Sequence, residues 1–246
     1  MLELSMTDWV LVGFCALMVG ITKTGVPGLG ILVVPLMAMV IPARLSVGVL
    51  LGILILADVF AAVYYRRHAQ WGQIARLLPA AFVGVIVGYF CLKIVSDGQL
   101  KPIIGVIVLL MLVGNFFREW YYGDESKIPT QLWFAIGMGF LAGVVTMMAN
   151  AAGPVMIIYL LAMRLDKKEF IGTRAWFFFI INWIKVPFGA NLELITAETV
   201  KLDLIMLPVI AVGAVIGILI LKHIPQKAFK VVVQVLAVAA AIKLLF

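Results

Sequence analysis

Lys23 sits in an unusual setting, the run Gly20-Ile21-Thr22-Lys23-Thr24-Gly25-Val26-Pro27-Gly28-Leu29-Gly30, which interrupts an apolar stretch near the N-terminus. An ammonium group flanked by two hydroxyls and by glycines can bring charge, neutral donors and bare backbone close to a small ligand. A second interruption, Thr146-Met147-Met148-Ala149-Asn150-Ala151-Ala152-Gly153-Pro154, follows about half a chain later. The helices expected to begin near Gly28 and near Gly153 each present unpaired N–H groups and the positive end of a dipole at the break. With Thr22, Lys23, Thr24, Gly25 and Gly28 at one break and Asn150 and Gly153 at the other, the chemistry on offer is the holding of an anion. The competing account makes the glycines packing devices and lets Lys23 snorkel to an interface.

Three further residues are costly where they stand. Asp58 lies inside Leu50-Leu51-Gly52-Ile53-Leu54-Ile55-Leu56-Ala57-Asp58-Val59-Phe60, and a carboxylate at that depth must face a cavity or a partner; it is the candidate for taking up a proton. Asn182 and Lys185 interrupt a second apolar run and, three residues apart, can share a helix face. Lys185 is near a helix end, so reaching the outer interface is its alternative, and a structural salt bridge or cap is that of Asp58.

These residues are embedded in a chain of 246 residues that is 65% hydrophobic and 13% charged, with a mean hydropathy of +1.17. That composition excludes an ordinary soluble domain and indicates an all-α polytopic membrane protein, since the apolar runs are helical in length and show no ten-residue alternation of a β-barrel. Met1 to Asp8 carries Glu3 and Asp8 and no basic region, so the first apolar segment is expected to belong to the fold. The net charge of +7 falls in short connections, which argues for membrane orientation and against nucleic acid. Cys15 and Cys91 lack any metal-ligand or redox spacing. Neither a nucleophile elbow, an HExxH motif nor a Walker A loop occurs, so no enzyme activity, cofactor or metal is expected, and an ATP-driven pump has no room for its nucleotide domain.

Ten apolar segments, at about 9–21, 28–41, 46–65, 77–95, 102–117, 132–148, 154–165, 170–188, 204–221 and 228–246, divide five and five. Leu78-Pro79, Gly84, Gly88 and Lys93 recur as Leu207-Pro208, Gly213, Gly217 and Lys222 at a constant offset of 129. Gly20 and Gly30 fall on Gly143 and Gly153, and Asp58 on Asn182 after a one-residue shift. The expected organisation is an N-terminal repeat over 1–118, a cytoplasmic linker over 119–130 and a C-terminal repeat over 131–246. Arg66, Arg67, Arg76, Arg118, Lys127, Arg164, Lys167, Lys168, Arg174, Lys222, Lys227 and Lys230, twelve of the nineteen basic residues, are assigned to connections on one side. Taking that side as cytoplasmic places both termini outside and inverts one repeat relative to the other. The first two segments of each repeat are short for a span and can form re-entrant hairpins whose glycine-rich tips meet near the centre, although loop charges do not separate hairpins from full spans. A homodimer stays open, because the Gly84/Gly88 and Gly213/Gly217 faces can pack helices within a protomer or between protomers.

The run from Gly20 to Gly30, the segment from Met147 to Pro154, and Phe170-Ile171-Gly172-Thr173-Arg174-Ala175-Trp176-Phe177-Phe178 through Asn182 and Lys185-Val186-Pro187 resemble the TauE/SafE family of sulfite and organosulfur-anion exporters, among them permeases of the 4-toluene sulfonate uptake type. The resemblance covers nearly the whole chain, with three motifs in order. It implies a multi-pass permease of the bacterial inner membrane that moves a small sulfur-containing or carboxylate anion outward, with proton coupling as an option. An anion channel is the alternative of a different class.

Overall fold

Among the described residues, prolines at positions 35, 79, 102, 187 and 208 lie inside helices, yet none ends the helix that holds it. The computed structural model describes residues 5–25, 28, 30–121, 129–220, 235 and 237–245. Val26, Pro27 and Leu29 of the first break, Lys127 of the linker and Lys222, His223, Lys227 and Lys230 of the last connection lie outside the described residues.

Among the described residues the chain forms α1 (Met6–Thr24), α2 (Gly30–Val40), α3 (Ala43–Tyr64), α4 (Trp71–Ile94), α5 (Asp97–Tyr121), α6 (Leu132–Ala149), α7 (Gly153–Ala162), α8 (Lys167–Asn191) and α9 (Ala197–Ile220), followed by helix over 237–243. Local chemistry sets several boundaries. Ser5 and Asp8 close a capping box ahead of α1, and Asp166 and Glu169 close another ahead of α8. Pro154 occupies the first turn of α7, where a missing N–H costs nothing. Asn150 ends α6 in the left-handed region at φ 53°, donating its N–H to the Thr146 carbonyl at 3.0 Å.

Among the described residues six helices, α1, α3, α4, α5, α6 and α9, have segments long and apolar enough to cross a membrane. Only the second member of each expected hairpin is short. The helix of α1 continues through Gly20-Ile21-Thr22-Lys23-Thr24, giving 19 residues or about 28 Å, and α6 continues through Thr146 to Ala149. By contrast α2 has 11 residues and α7 has 10, each about half of a hydrocarbon core of roughly 30 Å. The hydroxyls and the lysine that looked like helix breakers are satisfied inside the protein, so the backbone has no reason to unwind before Gly25 and Asn150.

Each break is tied to α3 by a different contact. Tyr65, just beyond the C-terminal end of α3, donates its hydroxyl to the Thr24 carbonyl at 2.9 Å, whereas Asn150 donates its side-chain amide to the Val47 carbonyl, one turn into α3, at 2.9 Å. The two breaks therefore touch α3 at different heights, while residues of both line one space between the helices.

Close approach between helices is made twice with matching residues. On α1 and α9, a Cβ added to Gly20 would stand 2.4 Å from the Ile210 carbonyl oxygen, and one added to Gly213 would stand 2.3 Å from that of Leu17. On α4 and α6, a Cβ at Gly84 would stand 2.2 Å from the Phe140 carbonyl oxygen and one at Gly143 would stand 2.0 Å from that of Ala81. These backbones touch because neither partner has a side chain in the way, the small-residue mode of helix association. Both glycine faces that could have served a dimer are thus filled within the protomer. Large apolar side chains point outward instead, among them Phe82, Phe90, Leu110, Phe116, Trp133, Leu204 and Val215. Outward-facing apolar surface around a core that buries Lys23, Asp58, Arg174 and Lys185 is the inside-out arrangement of a chain solvated by lipid.

Candidate functional site

The periodicity of α8 presents Arg174, Phe178, Asn182 and Lys185 along one face, and that face is turned inward. Lys185, 1% exposed, donates from Nζ to Asn150 Oδ1 at 2.6 Å, to Thr146 Oγ1 at 3.2 Å and to Asn182 Oδ1 at 3.2 Å. Asn182 passes the connection on, donating from Nδ2 to Asp58 Oδ2 at 2.8 Å. The other carboxylate oxygen of Asp58 pairs with Lys23 Nζ at 2.6 Å, and the ammonium also lies 4.4 Å from the centre of the Phe178 ring. The chain Lys23–Asp58–Asn182–Lys185–Asn150 therefore joins the end of α1 to the end of α6 through α3 and α8.

An open-sided cavity lies beside this network. Its walls include Thr22, Lys23, Gly28, Gly30, Thr146, Asn150, Gly153, Arg174, Phe178 and Asn182. The first residues of both half-length helices, Gly30 of α2 and Gly153 of α7, face it, so two positive dipole ends converge on one space. Three buried basic side chains stand around it or directly behind its wall against one carboxylate. Such a surplus, with Asp58 already engaged by Lys23, is an electrostatic environment for an anion.

Not every residue expected at the site faces the cavity. Thr22, Lys23, Gly28, Asn150, Gly153 and Asn182 do, and Lys185 stands behind Asn150 and Asn182. Asp58 is fully buried between Lys23 and Asn182. Thr24 and Gly25 turn the other way. The Thr24 hydroxyl donates to the Ala214 carbonyl at 2.8 Å and shares contact with that of Gly20 at 3.1 Å, and a Cβ on Gly25 would fall 2.2 Å from the Gly217 carbonyl oxygen. Both residues serve the α1–α9 seam.

Arg174 requires a correction. Assigned from sequence to a basic connection, it lies in the second turn of α8, 5% exposed, with its guanidinium donating to the Thr22 carbonyl. Its i, i+4, i+8, i+11 relation to Phe178, Asn182 and Lys185 was the signal that could have placed it. Thr146 is the other residue added by the structure, through its contact with Lys185.

An all-helical, multi-pass membrane protein with buried cations around an internal cavity has the form of a transporter, not of an enzyme. The chain belongs to the sulfite exporter TauE/SafE family, whose model matches residues 10–244. It is 29% identical over 203 residues to the probable inner membrane transporter protein TsaS of Comamonas testosteroni, a match covering 78% of this chain and 81% of that one. No solved structure matches it.

Proposed function

We propose that the protein is a secondary transporter that exports a small anion, sulfite or a related organosulfonate, across a bacterial inner membrane. One observation carries this reading: the N-termini of α2 and α7 and the side chains of Lys23, Arg174 and Asn150 converge on one cavity. Backbone N–H groups and charged donors suit an oxyanion of one or two charges, and the inner-membrane location follows the name of the Comamonas relative.

Asp58 serves as an internal anion on Lys23. A substrate oxyanion entering the cavity competes with it, which draws Lys23 toward the ligand and loosens the link to Asn182. Alternating access follows when the helices around the site open to one side and then to the other. Matched residues support an inverted-repeat origin over 1–118 and 131–246, joined by 119–130: Asp58 meets Asn182, and the Gly20–Gly213 seam has its counterpart in Gly143–Gly84. Because α1 packs on α9 and α4 on α6, each seam unites helices of different repeats, and the bodies that rock are these seam-joined groups rather than the repeats themselves. Both termini lie outside in this arrangement.

Purified protein in liposomes loaded with sulfite tests the reading. Saturable sulfite exchange is expected, weakened in Arg174→Gln by about ten- to a hundredfold, the equivalent of one lost charge-assisted contact of about 1.5–3 kcal/mol. Exchange of short carboxylates with sulfite excluded would reassign the substrate, and ion currents at single-channel level would replace the carrier with a channel.

A further inference from the structure

A second aspartate is buried away from the cavity. Asp203 occupies the second turn of α9 and is 6% exposed, and its Oδ1 is shielded from solvent with no hydrogen-bond partner. The space it fills is provided by Gly52 of α3, where an added Cβ would stand 1.8 Å from Asp203 Oδ2.

The elements packed extensively on α9 are α1 and α3, and their charged residues are otherwise engaged. Asp8 caps α1 through Ser5, Lys23 and Asp58 hold each other, and Arg44 donates to the carbonyls of Leu92 and Val95 at 2.8 Å each. Cys15 of α1 and Tyr64 of α3 are the remaining titratable side chains of those two helices, and α9 itself adds Glu198 and Lys201 near its start. Among the described residues, no hydrogen bond or ion pair joins any of them to Asp203.

We propose that Asp203 is a proton-binding site that couples anion movement to a proton gradient, separate from the Lys23–Asp58 pair; this rests on the transporter reading above. An ionised carboxylate in that position has one oxygen, Oδ1, cut off from water with neither a cation nor a donor in its place, which is costly. A bound proton removes the cost. A metal cation would need several oxygen ligands, and the described residues hold no group of three His, Cys, Asp or Glu side chains able to bind one. The location links occupancy to movement. Asp203 lies at the contact of α9 with α3, which carries Asp58, while α9 is seamed to α1, which carries Lys23. Parting α9 from α3 opens the carboxyl to water and releases the proton, and closing the contact requires the proton back, so the proton binds one state of the α3–α9 contact in preference to the other.

The test compares wild type, Asp203→Asn and Asp203→Glu in liposomes, with sulfite as the probe and the membrane potential clamped. Gradient-free sulfite exchange is read beside accumulation driven by a pH difference, with protein-free liposomes correcting for protons carried by bisulfite itself. The expected result is retained exchange in Asp203→Asn with pH-driven accumulation lost to background, and both retained in Asp203→Glu. Full pH-driven accumulation in Asp203→Asn overturns the proposal, as does wild-type exchange that no pH difference can drive. Loss of exchange in both variants also overturns it, since the residue is then needed for packing. Absence of exchange in the wild type would instead refute the transporter reading.

Discussion

Lys23→Met is expected to abolish sulfite exchange and to destabilise the protein by about 3–5 kcal/mol, the cost of leaving a buried charge without its partner. Asp58 is fully buried, and Lys23 at 2.6 Å is its ion-pair partner, while Asn182 supplies a neutral hydrogen bond at 2.8 Å. Removing the ammonium leaves that carboxylate with one neutral donor in a space sealed from water. The double variant Lys23→Met/Asp58→Asn removes both charges, and most of the lost stability should return, because replacing a buried pair whole is far less damaging than breaking it. Transport should not return with it, since the cavity still lacks the cation supplied by α1. Thermal unfolding of the purified protein and sulfite exchange in liposomes separate the two quantities. Equal stability of the single and double variants would show that Asp58 does not depend on Lys23.

The glycine seams give the second large effect. Gly143→Ala places a methyl 2.0 Å from the Ala81 carbonyl oxygen, and Gly213→Ala places one 2.3 Å from that of Leu17. Backbone atoms on both sides prevent any side-chain adjustment, so the helices must separate, at about 1–3 kcal/mol for each substitution. Gly137, on α6 with Gly143, and Gly13, on α1 across the seam from Gly213, are controls, because an added Cβ at either has nothing within 4 Å. Alanine there should be neutral or stabilising by about 0.5–1 kcal/mol through backbone entropy alone. Melting temperatures of the four variants check the contrast; a uniform response would mean the seams are not closely packed.

Composition made the membrane class legible, and the repeated Leu-Pro and glycine spacings anticipated which helices would carry matching seams. What the sequence concealed was depth. Thr22, Lys23 and Thr24 looked like part of a break because polar residues in an apolar run signal irregular backbone, yet each finds its place inside a continuous α1. Whether a threonine serves a ligand or a seam depends on a partner far along the chain: Thr24 bonds to Ala214, and no local pattern announces that. Arg174 was misread for the opposite reason, since proximity to Lys167 and Lys168 made it look like a loop charge. The face it shares with Asn182 and Lys185 was present in the spacing, but choosing that face over the neighbouring charges needed the start of α8, set by the Asp166 cap.

The central claim is that an anion binds between the N-termini of α2 and α7. Selenite, a heavier analogue of sulfite, makes the site visible by anomalous scattering from crystals of the purified protein. The predicted result is one selenium peak in the cavity, its oxygens within about 3 Å of donors among Lys23, Arg174, Asn150 and the first N–H groups of the two half-length helices. A peak elsewhere, with that cavity empty and the Lys23–Asp58 pair undisturbed, would contradict it.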